Sequence, residues 1–172
     1  MFSGILIGVA VLVIFVVALL VAIAFRRVVP TNMVHIVQSN HKTTPYGSGK
    51  PAGNVYYAWP ASWPKIGVSV IALPESVFDI GLNDYDAYDV GRLPFMVDIR
   101  AFFRVQDSAL AAQRVASFGE LKAQLQSILQ GVVRRILSNN KLEEIMQERS
   151  ILSEEFTKEV DEQLKELGVC TA

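Results

Sequence analysis

The sequence predicts an α+β domain that lies behind a single membrane-spanning helix. Three observations support this fold class. The first 25 residues are apolar and carry no Asp, Glu, Lys or Arg. The next segments alternate apolar and polar residues with the period of β-strands, and the last third of the chain has apolar stripes at helical spacing. Strands followed by helices, without regular alternation, are typical of an α+β domain.

The apolar N-terminal segment has the length and composition of a membrane anchor. In residues 5–25 only Gly8 is not strongly apolar. A helix over this range is roughly 30 Å long, the thickness of a hydrocarbon core. A buried core helix would carry polar residues on one face, and this segment has none. The candidate anchor residues are Ile5, Leu12, Phe15, Leu19 and Phe25, with Arg26 and Arg27 at the boundary.

A cleaved signal peptide is the alternative interpretation of this segment. Ala22-Ile23-Ala24 has the small-x-small pattern of a cleavage site, but no basic residue precedes Arg26 and the apolar run is long. An uncleaved, single-pass anchor in the cell membrane is therefore expected. Because positive residues beside a span favour the cytoplasmic side, Arg26 and Arg27 predict that the remaining chain lies in the cytoplasm.

Charge and cysteine content narrow the classes of partner. Residues 26–140 hold 12 basic and 8 acidic residues, whereas residues 141–172 hold 4 basic and 9 acidic residues. A mildly basic body beside an anchor suits an anionic leaflet, so membrane lipids are expected partners. Nucleic acid is not an expected partner, since no dense Lys/Arg stripe is present. The single cysteine, Cys170, excludes an intrachain disulfide.

The strands are expected in the first two-thirds of the chain. Residues 34–39 and 66–73 are rich in β-forming residues, and residues 40–54 have the Gly, Pro, Ser and Thr content of a loop. Phe78, Ile80 and Leu82 alternate with polar or small residues. The clearest strand is 95–105, which should pair antiparallel with the preceding strand across a turn at residues 89–92.

The helices follow after a change of period. Asp107 is a good N-cap for a short helix, and residues 117–120 form a capping box for a longer one that ends near residue 137. A further short helix begins near Asn140. The last helix is predicted over 153–167, with Gly168 just beyond its end. Its apolar stripe is expected in the core, and any surplus apolar surface would contact another subunit; the candidate contacts are Leu152, Phe156, Val160 and Leu164.

Three motifs together resemble the stomatin/prohibitin/flotillin (SPFH, or band 7) domain. Residues 29–37 (VPTNMVHIV), directly after a span, resemble the start of that domain. Residues 93–107 (LPFMVDIRAFFRVQD) resemble its central strand, and residues 142–155 with 164–169 resemble its end. Among the branches, the chain is most similar to a bacterial flotillin-like protein. The implied partition is a transmembrane anchor at 1–27, an SPFH domain at 28–150 and a terminal helix at 151–172.

The chain departs from the family pattern in two turns and at its end. Residues 56–64 (YYAWPASWP) replace a shorter glycine-rich turn, and residues 88–92 (YDVGR) replace a "T-K-D". Family members continue from the last helix into a long charged coiled coil. Residues 151–172 are therefore expected to be the start of a helical rod that is truncated or shortened here.

The resemblance implies a function as a non-enzymatic membrane scaffold. Family members form large homo-oligomers that organise lipid and protein microdomains and regulate other membrane proteins, including proteases. The expected partners are thus the chain itself, membrane lipids and another membrane protein or protease. A monomeric or dimeric adapter that binds one protein partner is the alternative, and a membrane-tethered hydrolase is the third hypothesis.

Residues for catalysis or metal binding are sparse. His35 and His41 are the only histidines, and no further ligands stand at zinc-site spacing. The acidic run around Asp84, Asp86 and Asp89 lacks the glycine of a calcium-binding loop. No Ser/His/Asp triad is visible, and residues 47–50 lack the frame of a phosphate-binding loop. No enzyme activity, metal or cofactor is expected.

The aromatic segment after residue 55 leaves two alternatives open. Tyr and Trp favour the headgroup zone of a bilayer. With two prolines, the segment is consistent with a loop that enters the leaflet, and equally with a packed aromatic corner of the domain. The candidate membrane-surface aromatics are Tyr56, Tyr57, Trp59 and Trp63.

Overall fold

A computed structural model describes residues 2–39, 42–58, 67–147 and 149–172. Side chains are described for all of these residues except 2–6 and 149–151. The N-terminal apolar segment is one helix, α1 (Phe2–Phe25). Within it, Ile7–Phe25 is long and apolar enough, by length and composition, to cross a membrane, and none of this stretch is buried against the rest of the chain. The predicted architecture, an apolar helix before an α+β domain, is confirmed.

Two small antiparallel sheets follow α1. Strand β1 (Arg26–Val28) pairs with β4 (Val55–Tyr57) to form a two-stranded ribbon. The second sheet has the order β3-β2-β5, with β2 (Met33–Ser39) between β3 (Lys42–Gly47) and β5 (Val68–Pro74). Part of the predicted loop at 40–54 is therefore a strand. Its Thr and Tyr residues favour β structure, and Pro45 is tolerated because β3 is an edge strand.

The third sheet contains the longest strands. β6 (Phe78–Tyr88) pairs with β7 (Pro94–Val105) in the antiparallel arrangement that the sequence predicts. Burial alternates along β7, with Phe103 and Val105 on the core face and Arg100 and Arg104 exposed. β8 (Val169–Thr171) joins the other edge of β7, where it pairs only with residues 103–105.

Four helices are described after β7, and side-chain caps mark the starts of the first two. Asp107 accepts hydrogen bonds from two backbone amides at the start of α2 (Ser108–Arg114). Ser117 accepts from the amide of Glu120 at the start of α3 (Phe118–Asn139). The remaining helices are α4 (Leu142–Gln147) and α5 (Arg149–Leu164). The two predicted N-caps are thus present, each satisfying amides that the helix leaves unpaired.

The C-terminal segment differs from the prediction, which was a helix that reaches residue 167 and begins a rod. α5 begins earlier, ends at Leu164 and is followed by a 3₁₀ turn (Lys165–Leu167). Gly168 then adopts a left-handed conformation with φ 67°, and the chain returns to the sheet as β8. The left-handed residue explains the difference, since it ends a helix and redirects the chain.

One hydrophobic core joins the second and third sheets to the helices. Ile36 and Leu73 come from the β3-β2-β5 sheet, Phe103 comes from β7, and Leu125 comes from α3. Leu164 of α5 belongs to the same cluster, so residues on both sides of the predicted boundary at 150 share one core. This core holds the β3-β2-β5 sheet against the rest of the domain.

Candidate membrane-proximal site

The junction between α1 and the domain has no linker. The helix ends at Phe25 and β1 begins at Arg26. The amide of Ala58 donates to the carbonyl of Phe25 at 3.0 Å, and the amide of Val29 donates to the carbonyl of Asn54 at 2.8 Å. The two bonds extend the β1–β4 ladder by one residue pair at each end, so the ladder reaches the last residue of α1.

The ribbon presents two different faces. Arg26 pairs with Tyr57 and Arg27 pairs with Tyr56, so each pair shares one face of the ladder. Arg26, Val28 and Tyr57 are exposed on the outer face. Arg27 is half-buried and Tyr56 is 7% exposed on the inner face. The two neighbouring arginines therefore point in opposite directions.

The inner face packs on an aromatic cluster of the β3-β2-β5 sheet. The hydroxyl of Tyr56 and Nδ1 of His35 share a hydrogen bond of 3.0 Å. The rings of Tyr46 and Tyr56 lie 5.1 Å apart, centroid to centroid. Burial lowers the pKa of His35. Burial also raises the pKa of Tyr56, although the nearby charge of Arg27 opposes that rise. A neutral His35 is thus the form that fits this cluster.

The structure distinguishes the two predicted surface aromatics that it describes. Tyr56 belongs to a packed aromatic corner, whereas Tyr57 is 70% exposed beside the end of α1. Trp59 and Trp63 lie outside the described residues. Sequence reasoning missed the contact between His35 and Tyr56, because it depends on the packing of two separate sheets and joins residues 21 positions apart.

The described anchor side chains present apolar surface outward. Leu12, Phe15 and Leu19 are each more than half exposed, and Phe25 is half-buried at the end of the helix. The side chain of Ile5 lies outside the described residues. Such continuous apolar exposure around a helix is unfavourable in water and favourable in lipid.

The four predicted subunit contacts lie mostly inside the chain itself. Leu152, Val160 and Leu164 are buried in the hydrophobic core. Phe156 is only partly buried, and it lines a groove of about 910 Å³ between β7 and helices α4 and α5. Of the four, Phe156 is therefore the one that retains surface for a contact with another molecule.

Some of the residues considered for catalysis or metal binding have structural partners. Within the described part of the chain, no group of three or more His, Cys, Asp or Glu side chains is placed to hold a metal ion. Asp89 accepts a hydrogen bond from the amide of Leu93 and so closes the turn between β6 and β7. Cys170 is half-buried, with Sγ 3.7 Å from the carbonyl of Arg104. His41 lies outside the described residues.

Comparison with known proteins identifies a match over most of the chain. The sequence profile of the SPFH domain / Band 7 family matches residues 27–170. The match begins one residue after β1 begins and ends within β8, so it includes strands of all three sheets and helices α2–α5. A search of curated proteins yields no match.

Proposed function

This chain belongs to the SPFH domain / Band 7 family of membrane-associated scaffolds, and from that premise we propose that it is a membrane-anchored scaffold whose copies associate side by side. The observation that carries the proposal is the direct passage from the apolar helix α1 into strand β1. Because no linker separates them, an anchored copy holds its domain against the bilayer surface. Domains confined to one surface meet their neighbours at a high effective concentration.

Multivalency supplies the proposed mechanism. Each copy contributes one span, and linked copies bind the membrane more avidly than a single copy. A patch of linked domains would also restrict which lipids and proteins lie beneath it. The function would therefore be the organisation of lipid and protein microdomains, or the regulation of another membrane protein such as a protease, without catalysis by this chain.

The domain is proposed to lie on the cytoplasmic side. Arg26 and Arg27 follow the span, and no Lys or Arg precedes it. In sealed membrane vesicles with the cytoplasmic face outward, added protease should digest the domain. Protection of the domain in those vesicles, with digestion in vesicles of the opposite orientation, would contradict this sidedness.

Phe156 is the proposed contact residue among the apolar side chains of α5. Its partly exposed ring lines the groove beside β7, whereas Leu152, Val160 and Leu164 are occupied in the core. Phe156→Asp should therefore weaken association between copies. Arg134→Gln, an exposed change on α3, is the matched control and should leave association unchanged.

Energy transfer between separately labelled copies tests the scaffold proposal. Donor- and acceptor-labelled protein is reconstituted into vesicles, and the lipid-to-protein ratio is then increased. Specific association predicts that transfer persists on dilution with lipid and falls in the Phe156→Asp protein. Transfer that vanishes on dilution, as for randomly mixed monomers, would contradict the proposal and favour the adapter that acts on one partner.

A further inference from the structure

The outer face of the β1–β4 ribbon combines a cation, an aliphatic residue and an aromatic residue at the end of the span. Arg26, Val28 and Tyr57 alternate with the inward-facing residues of the same strands. Val28 is 57% exposed and Tyr57 is 70% exposed. We call these three residues the ribbon face.

The position of the ribbon face relative to the bilayer follows from the length of β1. A strand advances about 3.3 Å per residue, so Val28 lies at most about 7 Å beyond Arg26. The headgroup layer on each side of the hydrocarbon core is roughly 5–8 Å thick. If α1 spans the core as far as Phe25, Arg26 and its partner Tyr57 fall inside that layer.

The charge of the ribbon face has no ion-pair partner among the described residues. Among the described residues, the cations in ion pairs are Lys50, Arg100 and Arg135, not Arg26. The guanidinium of Arg26 therefore remains available to an external anion. A phosphate of a lipid headgroup matches it in charge and hydrogen-bonding geometry.

Tyr57, the aromatic residue of the ribbon face, also suits the headgroup layer. Tyr57 exposes most of its ring, which is unfavourable in water, whereas a phenol favours the boundary between acyl chains and headgroups. Tyr88 has a similar exposure of 57% but lies at the end of β6, in a different sheet from the ribbon. It is thus a tyrosine of matched exposure outside the ribbon face.

We propose that the ribbon face is a lipid-contact site in which Arg26 binds the phosphate of anionic headgroups, Tyr57 beside it packs at the level of the glycerol backbone, and Val28 lies in the headgroup layer. The site rests on the proposed membrane anchoring and deepens it, because it fixes the domain's orientation on the leaflet. Arg27 has a different role: it faces Tyr56 and helps to position the ribbon on the domain.

Site-specific fluorescence quenching tests this proposal. Cys170→Ser removes the only native cysteine, and an environment-sensitive fluorophore is attached after Tyr57→Cys, Tyr88→Cys or Leu12→Cys. The full chain is reconstituted into vesicles of phosphatidylcholine alone or of equal parts phosphatidylcholine and phosphatidylglycerol. Quenchers are carried on the headgroup or on the acyl chain of a trace lipid.

The proposal predicts strong headgroup quenching at position 57 and none at position 88. In the anionic vesicles, Arg26→Gln should lower the ratio of quenched to unquenched label at position 57 about fivefold, since one basic residue near an anionic surface contributes about 1 kcal/mol. Arg134→Gln is the charge-matched control and should change nothing. The effect of Arg26→Gln should be much smaller in phosphatidylcholine alone.

Two results would overturn the inference. A label at position 57 that is as unquenched as one at position 88 would show that the ribbon face stays in water. Equal effects of Arg26→Gln and Arg134→Gln would show that Arg26 has no specific interaction with anionic headgroups. If the label at position 12 is not quenched from the acyl chains, the proposed membrane anchoring itself is refuted. If position 12 is quenched and position 57 is not, only the inference about the ribbon face is refuted.

Discussion

At the residue scale, Gly168 decides where the helical layer ends and the sheet resumes. Its φ of 67° lies in the left-handed region, and a Cβ added there would stand 2.6 Å from the carbonyl oxygen of Asp107. The carbonyl oxygen of Gly168 itself accepts hydrogen bonds from the amides of Gln106 and Asp107. The glycine thus joins the end of β7 to the start of β8 in a space that admits no side chain.

Gly168→Ala should destabilise the domain by roughly 1–3 kcal/mol, because the substitution combines an unfavourable backbone conformation with a close contact to backbone. Chemical denaturation of the detergent-solubilised chain measures this free energy. Gly131→Ala is the control: residue 131 lies exposed in α3 with open space around it, and alanine should stabilise it by about 0.5–1 kcal/mol. Equal effects at both positions would contradict the account.

His35 makes the packing of the ribbon sensitive to pH. Its pKa is lowered from 6.5 by burial, so the unfolded chain binds a proton at a higher pH than the folded chain does. The free energy of unfolding should therefore fall as the pH drops below about 6.5 and level off once the pH is below the lowered pKa.

His35→Gln should remove this part of the pH dependence. The measurement is the midpoint of thermal unfolding for both proteins at a series of pH values between neutral and mildly acidic. The difference between the two proteins should change across that range. A constant difference would mean that His35 titrates in the folded protein as it does in the unfolded chain.

At the element scale, the helices and the long strands were predicted mainly from hydrophobic periodicity and capping residues. The alternation along β7 and the stripe along α3 each repeat often enough to define a buried face. β3 and β8 escaped prediction for a physical reason. Each is short and lies at a sheet edge, so its conformation is set by a neighbouring strand rather than by its own pattern.

The same limit applies to the candidate site. An apolar span and a pair of arginines are visible in the sequence, but the register of β1 on β4 is not. That register decides that Arg26 faces outward with Tyr57 while Arg27 faces inward with Tyr56. The pairing joins residues about thirty positions apart, which local residue preferences do not specify.

The N-cap of α3 provides a test at this scale. Ser117 accepts from the amide of Glu120, and the Glu120 carboxylate accepts from the amide of Ala116 at 2.8 Å. Ser117→Ala should therefore lower the free energy of unfolding by about 1 kcal/mol. Ser127→Ala, at an exposed position within the same helix, should be neutral or slightly stabilising. A neutral Ser117→Ala would mean that the cap does not support α3.

At the scale of the whole molecule, one apolar helix continues directly into a domain whose sheets and helices share a core. In the proposed scaffold, this continuity would restrict the domain to a thin layer at the membrane and would give every copy a similar orientation. Copies oriented alike present the same surfaces to their neighbours. Repeated contacts of one kind then extend laterally and close into a ring when the geometry allows.

The most direct test of the scaffold account is the number of copies per particle. The protein is extracted from its membrane in polymer nanodiscs, without detergent exchange, and its mass is measured by native mass spectrometry. The account predicts a discrete assembly of many copies whose mass does not change on dilution. A particle that contains one copy of the chain at every concentration would contradict it.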